Sequence, residues 1–211
     1  MNQRTIRVKG SAEVSGAPDW VKISFDVSSK DFEYSRCMEQ LAEQTERLRE
    51  ELKGVGLEKD NLKTYHFNIN TDFERVKDRY VFKGYKASHK LRVEFAFEKD
   101  YLNQVLRVLS HTQSQASFRI SFEIKDPEPL RQQAIAQAVK NSREKARVLA
   151  EAAGVELGEI LQIDYSWSEV HFQSSLRLEE VPMPMEAPDY DFTPEDVDVS
   201  DSVTVIYSIC Q

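Results

Sequence analysis

The sequence predicts an α+β fold, an antiparallel sheet with helices mainly on one face, built from two β-α-β-β-like halves. Most apolar runs alternate with polar residues, which is typical of antiparallel strands with one solvated face. Three longer segments carry apolar residues at three-to-four spacing, as amphipathic helices do. The pattern Gly-Val-x-Leu occurs at two predicted helix ends, residues 54–57 and 154–157, and indicates an internal repeat.

Seven strands account for the alternating runs. In each, every second side chain is apolar, so one face is predicted to be buried and the other solvated. The predicted strands cover residues 6–14, 21–27, 65–69, 87–97, 118–124, 161–167 and 199–209. The stretch Gly16-Ala17-Pro18-Asp19 is typical of a turn. The first two strands are therefore expected to pair as a hairpin.

Three helices interrupt the strands. They are predicted over about residues 32–53, 101–110 and 126–153. Asp31 and Asp100 are expected to cap the first two, and Asp126-Pro127-Glu128-Pro129 is a strong start signal for the third. The inner face of the first helix is predicted to hold Tyr34, Met38, Leu41, Thr45, Leu48 and Leu52. The inner face of the third is predicted to hold Ile135, Ala138, Ser142, Ala146, Leu149 and Ala153, small enough on average for close approach to a sheet.

The repeated Gly-Val-x-Leu pattern is interpreted as a helix end. Gly54 and Gly154 are expected to adopt the left-handed conformation that stops a helix, with Val55 and Val155 folding back onto it. A ligand loop is the weaker alternative. Gly54-Val55-Gly56 follows a helix and lacks the third glycine of a dinucleotide-binding fingerprint.

Composition bounds the class of protein. The chain has 211 residues, a net charge of −8 and 40% hydrophobic residues, which suits a single domain over residues 1–211 with a sizeable core. No apolar run is long enough to span a bilayer. The N-terminal residues lack a signal peptide's apolar region. The chain is therefore expected to be cytoplasmic as written, or periplasmic or in the cell envelope if it was trimmed.

The reactive side chains form no recognisable catalytic or metal-binding motif. Cys37 and Cys210 are interpreted as free thiols. The four histidines lack metal-ligand spacing, and His89 is in phase with the apolar face of its strand, so a hydrogen-bonded core histidine is expected. Phosphate-loop, zinc-protease and serine-hydrolase motifs are absent from the sequence. We expect no enzymatic activity, no catalytic residues, no cofactor and no metal.

Charge separates into a basic and an acidic segment. Residues 73–92, within a projecting hairpin predicted at about residues 62–98, carry seven basic and two acidic residues. Residues 168–201 form a Pro-rich insert with ten acidic residues and one arginine. Three interpretations of the hairpin stay open: a solvated hairpin with half its aromatic residues in the core, a subunit interface, or a single-stranded nucleic-acid surface. The low isoelectric point, about 5.2, argues against nucleic-acid binding.

Both segments supply candidate interface residues. From the hairpin these are Arg75, Lys77, Arg79, Tyr80, Phe82, Lys83 and Tyr85. From the acidic insert they are Phe172, Leu178, Met183, Met185, Tyr190 and Phe192. The insert is interpreted as an arm that packs on its own or a neighbouring subunit.

Several motifs together resemble the SIMPL-domain family. They are Ile-x-Val-x-Gly at residues 6–10, Pro18-Asp19, Gly54-Val55, Tyr85-x-Ala87 and the run from Ala138 to Gly158. The resemblance implies an α+β fold of two related halves, self-assembly as in some members, and a link to envelope stress proposed for others. It implies no enzymatic activity. The predicted function is a non-enzymatic, self-associating scaffold or interaction protein, and the alternative is a small-molecule or single-stranded nucleic-acid binding module that uses the basic, aromatic hairpin.

Overall fold

The computed structural model describes residues 4–110, 116–165 and 190–210. In chain order, the elements are β1 (Thr5–Gly16), β2 (Trp20–Asp31), α1 (Tyr34–Lys53), β3 (Lys63–Val76), β4 (Arg79–Ala96), α2 (Lys99–Ser110), β5 (Ser117–Glu123), α3 (Glu128–Ala153), β6 (Glu156–Asp164) and β7 (Val197–Cys210). The predicted α+β class with antiparallel strands is confirmed, and the strands form two sheets.

The chain divides into two compact units. Unit 1 takes its described residues from Met1–Pro18, Ile124–Ser174 and Glu195–Gln211, and unit 2 takes them from Asp19–Glu123 and Ser175–Pro194. Most of unit 2 is thus inserted into unit 1 between β1 and α3, and its described residues 190–194 come from the segment between β6 and β7. The prediction that the chain is a single domain stays a prediction.

Unit 1 is a three-stranded sheet in the order β1-β7-β6, with α3 packed on it. Small residues bring the helix close to the sheet. A Cβ atom on Gly10 would lie 2.7 Å from the Cβ of Ser142 and closer still to the carbonyl oxygen of Ala138. The buried positions of α3 are Arg131, Ala134, Ala138, Ser142, Ala146 and Ala150.

Unit 2 is a four-stranded sheet in the order β3-β4-β2-β5. Alternate residues of its central strands, among them Val21, Ile23, Leu91 and Val93, are fully buried. They form one core cluster with the buried faces of α1 and α2. Because strand side chains alternate between faces, the opposite face of this sheet carries the polar residues.

Both units contain the same β-α-β-β run. In unit 1 the run is β1-α3-β6-β7, and the third strand, β7, lies between the other two. In unit 2 the run is β2-α1-β3-β4, and again the third strand, β4, lies between the other two. The prediction of two β-α-β-β-like halves is confirmed. Unit 2 adds α2 and β5 to the shared plan.

The two helix ends are alike, but the prediction for Gly54 was wrong. After α3, Gly154 has φ +65° and donates to Glu151, while Val155 donates to Ala150. Gly54 instead remains right-handed at φ −59°. The same pair of hydrogen bonds forms two residues later, from Gly56 (φ +82°) to Lys53 and from Leu57 to Leu52. Each helix therefore ends in a Schellman motif.

The predicted β1–β2 hairpin was also wrong. β1 pairs with β7, for example Val8 opposite Val205, and β2 pairs with β4 and β5. The turn residues around Pro18 mark the passage from one unit to the other. Alternation reports that a strand is half buried but not which strand lies beside it.

Two predicted helix faces need correction. On α1, Leu41, Thr45, Leu48 and Leu52 are buried as expected, whereas Tyr34 is 53% exposed and Cys37 is buried instead. On α3, Leu149 is 49% exposed. Alanine and serine at every fourth position define its contact stripe, since only small side chains fit against Gly10. Ile135 lies beside this stripe, and Ala153 is exposed.

Candidate functional site

The β3–β4 hairpin projects beyond the sheet of unit 2. The pairing of β2 with β4 ends at Asp31 opposite Tyr85. Beyond that point β3 and β4 pair with each other, out to Val76 opposite Arg79. Lys77 and Asp78 both have positive φ and form a tight two-residue turn, closed by an ion pair of 2.6 Å between Arg75 and Asp78.

A β-bulge lies at the base of this ribbon. Asp72 is opposite Gly84 and Phe73 is opposite Phe82, so Lys83 is an extra residue in β4. Gly84 has φ +114°, and a Cβ atom there would overlap the backbone oxygen of Asp31. Position 84 combines a positive φ with close approach to a neighbouring backbone, and glycine meets both requirements.

The bulge gathers aromatic side chains on one side of the ribbon. The ring centroids of Phe73 and Phe82 are 5.7 Å apart, those of Phe82 and Tyr85 5.5 Å, and those of Tyr85 and Tyr34 5.6 Å, all edge to face. We call these four residues the aromatic face. Tyr80, which is 74% exposed, lies two residues before Phe82 in β4, nearer the tip of the hairpin.

The aromatic face is largely solvent-exposed. Phe73 is 51% and Phe82 39% exposed, and only Tyr85 packs against the core cluster. The interpretation that half of the hairpin's aromatic residues are core residues is therefore wrong. Contiguous exposed apolar surface of this kind is uncommon on monomeric proteins and marks interaction sites.

Carboxylates neutralise much of the hairpin's positive charge. Lys83 pairs with Glu74 at 2.8 Å, and this hydrogen bond lowers the pKa of Glu74 and raises the pKa of Lys83. The further pairs are Arg75 with Asp78, Lys90 with Asp26 and Arg92 with Glu94. Lys77 and Arg79 lie exposed at the tip.

The end of the acidic insert packs within unit 2. The side chain of Asn103 exchanges two hydrogen bonds of 3.1 Å with the backbone of Tyr190. Asp191 pairs with Lys99 at 2.6 Å, and the ring of Phe192 lies 6.1 Å from that of Phe122. Tyr190 and Phe192 are thus half-buried on α2 and β5. The other predicted arm residues, Phe172, Leu178, Met183 and Met185, lie outside the described residues.

Unit 1 contains a buried ion pair that no pattern in the sequence indicates. Arg131 of α3 lies 3.6 Å from Asp201 of β7, and their side chains are 11% and 3% exposed. Tyr165 donates to Asp201 at 2.8 Å, and burial together with this bond raises the pKa of Tyr165. Arg131 and Asp201 are about 70 residues apart in the sequence, so no local pattern of residues could indicate that they pair.

The predicted free thiols are confirmed, and His89 is hydrogen-bonded as predicted, but it is half-buried and does not belong to the core cluster. Cys37 and Cys210 are free thiols. His89 hydrogen-bonds to Thr64 at 2.8 Å and to Thr45 at 3.3 Å, and burial lowers its pKa. Within the described ranges, no cluster of three or more potential metal ligands occurs. Nor is any described helix both long and apolar enough to cross a membrane.

The chain is similar to known proteins of uncharacterised function. An uncharacterised protein, YggE, from Edwardsiella ictaluri (strain 93-146) is 23% identical over 170 residues, which is 80% of this chain and 71% of that protein. The model of the SIMPL family, described as a protein of unknown function (DUF541), matches residues 6–207. This match spans both units and the repeated β-α-β-β run, and the chain belongs to the SIMPL family.

Proposed function

We propose that this protein is a non-enzymatic scaffold that self-associates through the aromatic face of its projecting hairpin. The single observation that carries the proposal is a row of rings in edge-to-face contact, Phe73, Phe82 and Tyr85 of the hairpin and Tyr34 of α1. All but Tyr85 are exposed, and the hairpin extends past its sheet. Aromatic side chains supply much of the binding energy at protein interfaces.

The stacking makes the aromatic face suited to docking. Each ring contacts the next, so the side chains are held in place before a partner binds and lose less conformational entropy on association. A two-stranded ribbon also has unpaired backbone groups along its outer edge, to which another strand can add. A second copy can therefore pack against the rings of the aromatic face or pair its backbone with the edge of the ribbon.

Charge favours a second copy of this chain as the partner. The hairpin segment, residues 73–92, has seven basic and two acidic residues, and residues 168–201 have ten acidic residues and one basic residue. Each copy therefore carries both a basic and an acidic segment. Complementary segments of this kind speed association and set orientation, and salt weakens their attraction.

A nucleic-acid surface is less well supported. Four of the seven basic residues, Arg75, Lys83, Lys90 and Arg92, already pair with carboxylates. A groove that binds a nucleic-acid backbone presents unpaired cations along its length. The three that remain, Lys77, Arg79 and Lys86, are exposed but too few to track a strand.

The test is sedimentation velocity of two double variants. Phe73→Ser with Phe82→Ser removes two rings of the aromatic face. Val148→Ser with Leu149→Ser is the matched control, because these α3 residues are also exposed apolar side chains, at 64% and 49%. We expect the hairpin variant to sediment as a monomer at concentrations where the wild type and the α3 variant form the same oligomer.

The exposed apolar residues of β6 form a second surface through which the protein could associate. Ile160, Leu161 and Ile163 of the edge strand β6 are 44%, 43% and 50% exposed. If serine at Ile160 and Ile163 abolishes association and the hairpin variant does not, the interface is the β6 edge and the proposal fails. Retention of the oligomer in all variants also contradicts it.

A further inference from the structure

The polar face of the unit 2 sheet holds a basin of about 530 Å³. This face lies opposite the buried residues Val27, Ala87 and Leu91. The uncharged residues that line the basin all carry hydroxyl or amide groups, and they are Ser28, Asn68, Asn70, Thr71, Ser88 and Ser117. A solvated sheet face ordinarily carries longer side chains, so this shape requires an explanation.

Strand register arranges short side chains as the floor of the basin. Asn68 of β3 lies opposite Ser88 of β4, and Ser88 lies opposite Ser28 of β2. Residues directly opposite on one face have Cβ atoms about 5 Å apart. The three therefore form one row of hydrogen-bonding groups across three strands.

Charged side chains flank this row. On one side, His66, Lys90 and Asp26 are aligned across β3, β4 and β2. On the other side, Asn70 lies opposite Lys86. The basin therefore combines an uncharged floor with charged flanks.

One cation that lines the basin, Lys86, forms no ion pair with a described residue. Asp26 accepts a 2.7 Å hydrogen bond from Ser88 and lies 3.6 Å from Lys90. Asp72 pairs with Lys30, and this hydrogen bond is the largest cause that lowers the pKa of Asp72. The positive charges of Lys30 and Lys86 lower it further. In the part of the chain that the structure describes, no carboxylate lies within ion-pair distance of Lys86. The ammonium group of Lys86 thus lies beside the hydroxyl-lined floor without being held in an ion pair by a described carboxylate.

We propose that this basin binds an acidic saccharide, a ring with several hydroxyls and one carboxylate. The hydroxyls would exchange hydrogen bonds with Asn68, Ser28 and Ser88, and the carboxylate would pair with Lys86. The volume lies within the range of small-molecule sites, and its polar lining excludes an apolar ligand. This site is separate from the aromatic face, and its occupancy does not depend on self-association.

The experiment is a titration of the full chain with D-glucuronate, followed through backbone amide chemical shifts. D-Glucose tests the hydroxyls without the charge, and acetate tests the charge without the hydroxyls. We expect saturable shifts at the amides of Ser28, Asn68 and Ser88 with glucuronate. Glucose should bind roughly tenfold more weakly, because it lacks the charge-assisted hydrogen bond, and acetate should show no saturation.

Two variants assign the roles. Lys86→Met should abolish the preference for glucuronate over glucose, whereas Asn68→Leu should weaken the binding of both sugars. Lys59→Met and Asn61→Leu are matched controls, because both residues are exposed in unit 2 and neither lines the basin. The dispersion of the amide spectrum shows whether each variant is folded.

Several results would overturn the proposal. One is the absence of saturable shifts with glucuronate. Another is acetate binding as tightly as glucuronate, which would reveal a simple anion site. Equal binding of glucose and glucuronate to the wild type, or unchanged binding in both basin variants, would also overturn it.

Discussion

Phe82 and Tyr85 stack edge to face with ring centroids 5.5 Å apart, although they are three residues apart on one strand. In a regular strand, residues three apart point to opposite faces. The extra residue Lys83 changes the alternation between them. The bulge therefore creates the aromatic face on which the proposed association depends.

The bulge requires glycine at position 84. We predict that Gly84→Ala lowers the free energy of unfolding by about 3 kcal/mol, since a Cβ there combines positive φ with overlap of Asp31. Gly56→Ala is the matched control. Gly56 also has positive φ but nothing lies within 4 Å of its Cβ position, so the cost should be about 1 kcal/mol. Urea unfolding measures both, and equal losses would refute the steric account.

Close approach of α3 to β1 should make Gly10 equally sensitive. Gly10→Ala places a methyl group against Ala138 and Ser142, and we predict a loss of about 3 kcal/mol in the free energy of unfolding. Ser11→Ala, on the opposite face of the same strand, should change it by less than about 0.5 kcal/mol. A Gly10→Ala protein as stable as the wild type in urea would show that the helix can move away at little cost.

His89 should make stability depend on pH. Burial, and then the charge of Arg49, lower its pKa below 6.5, so the unfolded chain binds more protons than the folded one in mild acid. The contribution of neutral His89 to the free energy of unfolding is fully present above the unfolded pKa of about 6.5. It is lost as the pH falls from there through the lower pKa of the folded state. We predict that His89→Gln reduces the loss of stability between about pH 7.5 and 5.5.

The control for this pH dependence is His66→Gln, because His66 is exposed. That variant should lose stability between the two pH values as the wild type does. Urea unfolding of the wild type and of both variants at the two pH values measures these losses. If His89→Gln and the wild type lose equal stability, another group carries the pH dependence.

The pair of Arg131 and Asp201 should be coupled in stability. Asp201→Ala leaves a largely buried arginine without this carboxylate and should cost about 3–5 kcal/mol. Adding Arg131→Met should recover part of that loss, because the buried guanidinium charge is then removed as well. A double-mutant cycle in urea measures the coupling, and strictly additive losses would show that the two side chains act independently.

The sequence predicted local structure better than pairing. Alternation identified seven strands, and the Gly-Val-x-Leu repeat correctly indicated two related halves. Each of these two patterns is local, because it is contained within about ten residues of sequence. The partners of β1 and β2 depend on residues up to about 200 positions away, such as Val205 opposite Val8. No local pattern reports such pairing.

The candidate surfaces were predicted only in part. Composition identified the basic, aromatic hairpin, but the exposure of Phe73 and Phe82 depends on the bulge at Lys83, whose signal, a lone glycine, is weak. The polar basin gave no signal at all. Its floor joins Ser28, Asn68 and Ser88 from three strands, and in the sequence each is only a polar residue in an alternating run.

The mass of the unmodified protein in solution tests the central claim most directly. Light scattering across protein concentration and salt should give a defined oligomer that dissociates on dilution, more readily at high salt because salt screens the attraction between the basic and acidic segments. A monomer at every concentration and salt would contradict self-association through the hairpin.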